Sequence, residues 1–550
     1  MTDSLNNQTN GAIAPAQDSP LLIASLFETA MALGSRNEIL LADRSRYSYA
    51  MFGERVHRLA HALAGLGLKP GQTVGVMDWD TPRYLECFFG VPMMGAVLHT
   101  INVRLSPEQI LYTINHAEDD IILVNNEFLP ILEQIWERVD AGKILVLLSD
   151  VTITATTTLP IAGEYEALLA EAAPRFDFPN VSEHSRATTF YTTGTTGLPK
   201  GVYFSHRQLV MHTLSTRAAL AGEGQGRFNA SDIYMPVTPM FHVHAWGLPY
   251  VATTMGVKQV YPGRYQPDVL LDLIQREGVT FSHCVPTILQ MILGAAQKRE
   301  ARLDGWTVII GGSALQAALC KQALDVGIDV FTGYGMSETC PILTLAQLQP
   351  QMRDWDIERQ IEVRCKTGRP IPLVHLRIVD AEMNDVPHDG VAQGEVVVRA
   401  PWLTRGYLKD PTNSRNLWAG GWLHTGDIAV IDTDGYLRIT DRLKDVIKSG
   451  GEWVSSLDVE DMILRHPAVA EAAVIGVPDL KWAERPMAIV VLKPGQTASA
   501  DDIRAHLRDF ASRGLMSHYA IPEQVKFVEQ LPKTSVGKLN KRSLRATYIV

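Results

Sequence analysis

Between Pro20 and about Ala173 the apolar positions alternate between two periods. Gln72-Thr-Val-Gly-Val-Met77 is a short apolar and β-branched run, which predicts a buried strand. Pro82 to Met94 spaces its apolar residues as an amphipathic helix does, and Ala96 to Ile101 predicts the next strand. Ser106-Pro-Glu-Gln109 opens another helix. Ser at the N-cap accepts a bond from an otherwise orphaned N–H, and Pro at the first helical position has no N–H to lose. Asp120 to Val124 predicts the strand that follows. Strand, helix, strand in this order needs right-handed crossovers, hence a largely parallel sheet covered on both faces. The texture returns between about Asp232 and Gly335, with helix Val269–Glu277, strand Thr280–Cys284, helix Pro286–Arg299 and strand Thr307–Ile310.

After Thr367 the runs shorten and Gly/Asp turns punctuate them, at Asp389-Gly390, Gly420-Gly421 and Asp434-Gly435, which predicts an antiparallel subdomain. From Val446 a smaller mixed unit follows: helix Leu457–Arg465, strands near Ala472–Gly476 and Met487–Leu492, and helix Asp501–Phe510. The charged segment Asp441-Arg-Leu-Lys-Asp445 lies between the two textures. The expected fold is therefore α/β. A large N-terminal domain (residues 20–440) has parallel sheets and an antiparallel subdomain. A hinge (441–445) joins it to a small, mobile α+β C-terminal domain (446–550). Residues 1–19, rich in Asn, Gln, Thr, Ala and Pro, are expected to form a disordered tail.

Composition narrows the classes. The chain has 550 residues, 46% hydrophobic and 20% charged, which suits a globular multidomain protein and excludes a mostly disordered one. Fifty Lys+Arg against 60 Asp+Glu give a net charge of −10, which opposes a dedicated nucleic-acid binder. The basic run Lys538 to Arg545 is short and carries no aromatic interleaving. Five cysteines without a CxxC pair read as reduced thiols, which places the protein in the cytoplasm. The first basic residue is Arg36, so no secretory n-region is expected; the most apolar stretch, Phe88–Leu98, is too short to span a bilayer.

The chemistry concentrates in one segment, Tyr191-Thr-Thr-Gly-Thr-Thr-Gly-Leu-Pro-Lys-Gly201. Small and hydroxylic residues let backbone N–H groups approach an anion, while Thr hydroxyls and one Lys add donors and charge. No Gly-Lys-Ser/Thr closes it, so it is not a Walker A loop. Gly222-Glu-Gly-Gln-Gly226 lacks the GxGxxG spacing, and Gly65-Leu-Gly67 joins a helix to a strand, the wrong order for a dinucleotide fingerprint. His242 and His244 have no third ligand fixed near them and do not make a metal site.

The Tyr191–Gly201 segment resembles the phosphate loop of the adenylate-forming acyl-CoA synthetase superfamily. The likeness continues in family order through Met240-Phe-His-Val-His-Ala-Trp246, Gly311-Gly-Ser-Ala314, Gly333-Tyr-Gly-Met-Ser-Glu-Thr339, Gly420 to Asp427, Asp441–Asp445 and Pro532-Lys-Thr-Ser-Val-Gly-Lys538. It covers the chain from about Pro20 to the end and looks most like the medium- to long-chain fatty-acid ligase branch.

The resemblance implies ATP-dependent ligation of a medium-chain fatty acid to coenzyme A through an acyl-adenylate, with AMP and pyrophosphate released. The rival readings are a short-chain, sulfur-containing or aryl acid, or a non-catalytic adenylate-binding protein. It implies Mg²⁺ held by Thr192 and Glu338, and Lys538 as the catalytic charge. ATP phosphates would meet Thr193, Gly194, Thr195, Thr196, Gly197 and Lys200. Gly312, Thr332, Gly333 and Tyr334 would hold adenine, Asp427 and Arg442 the ribose, with Ser337, Lys444 and Lys448 also at the nucleotide. His242, Val243, Trp246 and Gly312 would line the acyl pocket, and Gly450, Gly451 and Trp453 the pantetheine arm. A homodimer is implied likewise. His244 stands where this branch commonly carries Asn, and His518 where many relatives carry Lys.

Overall fold

The computed structural model describes residues 19–42, 44–140, 142–149, 157–192, 198–222, 225–443, 445–449, 452–479, 481–513, 515–533 and 539–549, with backbone alone for Lys448, Glu452 and Trp453. The expected tail lies outside them, Ser19 excepted.

Two large sheets carry the N-terminal part. One has seven strands, in spatial order Ile161–Glu164, Ile144–Leu148, Asp119–Asn125, Thr73–Met77, Val97–Thr100, Arg186–Thr192 and Lys200–Ser205; only the last pair is antiparallel. The other has nine. Asp329–Gly335, Thr307–Ile310, Phe281–Cys284, Ile233–Pro236, Lys258–Tyr261 and Glu38–Leu41 run parallel, and antiparallel strands add to each edge. The helix expected after Ser106 is Pro107–Ala117, and its start is a full capping box between Ser106 and Gln109.

One expectation fails in an instructive way. The predicted amphipathic helix is Pro82–Met93, and every residue in it is buried. Its charged positions are paired inside the protein instead of facing water. Glu86 accepts from the Tyr47 and Tyr165 hydroxyls (both 2.6 Å) and from Arg55 (2.7 Å), while Arg83 donates to the Ser149 carbonyl (2.9 Å). A helical stripe of polar residues marks a solvent face only when no partner element covers it. Here the helix packs against Ile23–Ala32 and Tyr49–Gly65.

The antiparallel subdomain is a four-stranded sheet of His375–Val379, Gly394–Arg399, Leu423–Ile431 and Leu437–Arg442. Its last strand runs into the expected hinge: Asp441 pairs with Ile428 and Arg442 with Asp427. A five-stranded sheet begins at Ile447, with separate apolar clusters on its two faces. Its central hairpin, Val469–Asp479 with Ala483–Leu492, outruns the expected strands, with Pro478 and Pro486 inside the paired register. Polar contacts tie this unit to what precedes it. The Ser456 N–H donates to Asp441 (2.6 Å), Arg438 meets Asp458 (3.1 Å) and Arg545 meets Asp445 (2.7 Å). Lys541 pairs with buried Glu460 (2.7 Å) and Lys533 with Glu471 (2.9 Å), so much of the C-terminal basic run is committed to internal ion pairs.

Candidate active site

Ligands of open α/β sheets bind beyond the carboxyl ends of the strands, where loops are free to present side chains. Most of the quoted motifs sit at such ends. Thr192 closes strand Arg186–Thr192, Met240–Trp246 follows Ile233–Pro236, Gly311-Gly312 follows Thr307–Ile310, and Tyr334 lies near the end of Asp329–Gly335.

The residues expected to meet the nucleotide form a set of paired polar groups. Asp427, 2% exposed, accepts a bond from the Tyr334 hydroxyl (2.7 Å) and an ion pair from Arg442 Nε (3.0 Å). The register that sets Asp427 opposite Arg442 makes the second contact local, and the Leu443 N–H closes the pair onto the Gly426 carbonyl (2.9 Å). Burial first, then the charge of Asp427, pushes the Tyr334 hydroxyl well above its ordinary range, while Asp427 chiefly raises Arg442. Both states are thereby fixed: a neutral phenol and a charged guanidinium on one carboxylate. Thr332 has a buried hydroxyl with no partner among the described residues, a donor in reserve beside Tyr334.

Glu338, on the short turn Ser337–Thr339, is 7% exposed. The Tyr407 hydroxyl donates to its Oε1 (2.7 Å), and the Thr404 N–H donates to its carbonyl (2.9 Å). Lys200 Nζ lies 4.7 Å from the centre of the Tyr407 ring, and Lys200 pairs across the hairpin with Thr192. One chain of contacts thus runs from the root of the phosphate loop to Glu338. Arg442 feels the charge of Glu338 as well, so the two halves share one field. Among the described residues, no group of three or more His, Cys, Asp or Glu is placed to hold a metal ion. One buried carboxylate and one hydroxyl fit a hard cation such as Mg²⁺, which keeps most of its coordination for water and phosphate oxygens.

The segment expected to line the acyl pocket is built differently. Val243, His244, Ala245 and Trp246 all take positive φ (49°, 55°, 47° and 59°), a left-handed turn rare for residues with a Cβ. Trp246 is buried, its ring 5.1 Å from that of His283. A Cβ on Gly311 would stand 2.8 Å from Trp246 Cη2 and 2.9 Å from the Gly333 carbonyl, so only glycine admits this packing. The turn is anchored at its start, where the Met240 N–H donates to Asp80 (2.8 Å) and the Thr100 hydroxyl to the Phe241 carbonyl (3.0 Å). Burial raises the Asp80 carboxyl to about 7. His242 is half-buried at the entrance to the turn; Gly312 is exposed, with φ of 82°.

Thr192, Lys200, Thr332, Gly333, Tyr334, Ser337, Glu338, Asp427 and Arg442, the residues expected to meet the nucleotide, therefore lie on or next to the strands just described, and Val243 and Trp246, expected at the acyl pocket, share the left-handed turn. Thr193, Gly194, Thr195, Thr196, Gly197, Lys444, Gly450, Gly451 and Lys538 lie outside the described residues, as do the side chains of Lys448 and Trp453. His518 is exposed on a short turn, His518–Ala520. Two residues escaped the sequence reading. Tyr407 carried no signal beyond a Gly-Tyr pair, since its partner lies 69 positions away. Gly311 stood in a quoted motif, but only packing distinguishes its role from that of Gly312.

Comparison with known proteins adds the family. The model of the AMP-binding enzyme family matches residues 27–408, and that of the AMP-binding enzyme C-terminal domain matches 458–538. The chain is 40% identical to a long-chain-fatty-acid–CoA ligase of Thermus thermophilus, with 96% of each chain covered. It is 38% identical to a 3-methylmercaptopropionyl-CoA ligase of Ruegeria lacuscaerulensis (96% of this chain, 97% of the relative). A medium-chain-fatty-acid–CoA ligase of Ectopseudomonas oleovorans is 36% identical, with 96% of each covered. Among solved structures, an anthranilate CoA ligase bound to anthranoyl-AMP superposes with a TM-score of 0.83 at 25% identity, over 97% of this chain and 98% of the other. No described helix is long and apolar enough to cross a membrane.

Proposed function

This chain is an AMP-forming acid–CoA ligase of the AMP-binding enzyme family, and from that premise we propose that the acid it activates is a medium-chain fatty acid. The carboxylate oxygen attacks the α-phosphorus of ATP, the bond to pyrophosphate breaks, and the acyl-adenylate remains. The CoA thiol then attacks the acyl carbon, its proton passes to solvent, and AMP leaves. No enzyme nucleophile enters either step.

The first step brings two anions together. Lys538 supplies a positioned ammonium that stabilises the charge they share, and Lys200 with the phosphate loop holds the departing phosphates. Thr192 and Glu338 would hold Mg²⁺, which when bound neutralises phosphate charge. Asp427 accepts the ribose hydroxyls; its orientation is set beforehand by Tyr334 and Arg442, so binding requires no rearrangement of that carboxylate. Gly450, Gly451 and Trp453 receive the pantetheine arm after the small domain turns about 441–445 and withdraws Lys538. One contact across the junction, Arg438–Asp458, has half-exposed partners, so releasing it costs under ~1 kcal/mol. Assembly as a homodimer belongs to the same reading.

The observation that supports the ligase chemistry in this chain is the carboxylate of Asp427 held from two sides by Tyr334 and Arg442. Acid length is supported by Trp246, which lies across Gly311 and closes the apolar wall. A thioether acid, 3-methylthiopropanoate, is the second reading, favoured by the 38% identity to a ligase named for that acid; sulfur replaces a methylene at little cost in an apolar pocket. Pyrophosphate release with MgATP is measured for acetate to palmitate, benzoate and 3-methylthiopropanoate, each with and without CoA. A CoA-dependent maximum at six to twelve carbons, on the order of tenfold over palmitate, is expected. A maximum at palmitate, at benzoate or at the thioether overturns the medium-chain assignment.

A further inference from the structure

His244 takes no part in either half-reaction, yet it occupies the middle of the acyl wall. It is fully buried, and neither ring nitrogen has a hydrogen-bond partner among the described residues. Burial lowers its pKa to about 3, so the ring is neutral. Four aromatic rings surround it: Phe190 at 5.2 Å, Phe88 at 5.8 Å, and Phe204 and Tyr250 at 6.3 Å. Three of these meet it edge to face, a geometry in which the electron-poor edge of one ring meets the π face of the other. Phe190 and Phe204 stack on each other, as do Phe88 and Tyr250, so the cage is itself cross-braced.

The position of this cage matters more than its composition. Phe190 and Phe204 belong to the paired strands Arg186–Thr192 and Lys200–Ser205 of the seven-stranded sheet, and Phe190 stands two residues before Thr192. Trp246, two residues beyond His244, packs instead against His283 of the nine-stranded sheet and Gly311 just past its strand Thr307–Ile310. The left-handed turn therefore bridges the two sheets, with His244 engaging one and Trp246 the other. Within the turn itself, the Ala245 N–H donates to the His242 carbonyl (3.1 Å) and the Gly247 N–H to the His244 carbonyl (3.0 Å). A run of four Cβ-bearing residues at positive φ persists only where its surroundings over-determine it. Asp80 and Thr100 secure the entrance, and Gly247, packed on His212, secures the exit. The caged ring secures the middle, next to Trp246 on His283 and Gly311.

We propose that His244 is a positioning residue that sets acid length: its ring, locked among Phe88, Phe190, Phe204 and Tyr250, holds the left-handed turn and so keeps Trp246 across Gly311. This inference rests on the medium-chain reading of the acid site. The side chain expected from family resemblance, Asn, is too small to touch all four rings, so in this chain the wall depends on a contact that the resemblance does not supply.

The test uses the full-length enzyme with His244→Asn, which removes the ring, and His244→Phe, which keeps one. For each, kcat and KM are measured for ATP and for acids from butyrate to palmitate. For His244→Asn, the preference for the favoured acid over one four carbons longer is expected to fall by about tenfold, through KM for the acids, with KM for ATP within about twofold. His244→Phe is expected to keep the wild-type preference. A length profile unchanged in His244→Asn, or equal losses in the ATP and acid KM values, overturns the proposal. Should His244→Asn fail to fold, a soluble His244→Phe that loses the wild-type preference overturns it also. The wild-type panel separates this from the function itself. A sharp wild-type length preference that His244 variants leave intact refutes only the positioning role, whereas the lack of any CoA-dependent acid preference refutes the reading beneath it.

Discussion

In the proposed reading, the nucleotide side and the acyl wall of the site solve opposite problems. On the nucleotide side the ligand is charged, and the protein meets it with side chains whose partners are already in place: Tyr334 and Arg442 on Asp427, Tyr407 on Glu338. Asp427 and Arg442 face each other on paired strands, and Glu338 sits on a short turn. On the acyl wall the ligand offers no handle, and the protein meets it with shape alone, made from strained backbone and aromatic packing. Polar recognition is stored in hydrogen bonds and apolar recognition in conformation, so the two should fail in different ways when disturbed.

The largest effect expected is at the charge that acts on the reacting atoms. Lys538→Ala should slow acyl-adenylate formation by on the order of a hundredfold to a thousandfold, ~3–4 kcal/mol, while CoA thiolysis of supplied acyl-adenylate is spared. Equal loss in both half-reactions, followed by rapid quench, would contradict the assignment. Asp427→Ala removes the acceptor from Tyr334 and leaves Arg442 without its carboxylate. KM for ATP should rise by about 2–3 kcal/mol, with acid selectivity untouched. A changed chain-length profile in that variant would break the separation between the two sides.

Trp246→Ala makes the converse experiment. Preference should move toward longer acids by about 1–3 kcal/mol in relative kcat/KM, with KM for ATP steady. A uniform loss across all acids would show that Trp246 is core packing and not wall. The smallest effect sharpens the picture of the metal side. Tyr407→Phe deletes one hydrogen bond to Glu338 without changing its burial, and should raise the Mg²⁺ concentration for half-maximal activity by about 1 kcal/mol in apparent affinity. Direct Mn²⁺ titration by paramagnetic relaxation checks the same shift without turnover, and an unmoved midpoint would remove Tyr407 from the site.

Much of the architecture was legible because its signals are local. Strand Thr307–Ile310 lies where the sequence placed it, and Ser106 caps its helix through a bond between neighbours in sequence. Helix Pro82–Met93 shows where such reading stops: its polar stripe looked solvent-facing until Tyr47, Arg55 and Tyr165, from other parts of the chain, closed over Glu86. The site divides along the same line. Glu338, Asp427 and Arg442 were found through family motifs, whereas Tyr407 was not.

Residue order by itself determined the alternation of elements, the α/β class and the motif set that belongs to this family, since periodicity, capping and motif spacing are properties of neighbouring positions. Tertiary structure alone decided that Lys200 reaches the ring of Tyr407, that Gly311 must be bare for Trp246 to lie across it, and that His244 sits unbonded inside an aromatic cage. Those contacts join residues from separate strands and turns. Their strength depends on distance, burial and orientation, which exist only after the two sheets have packed.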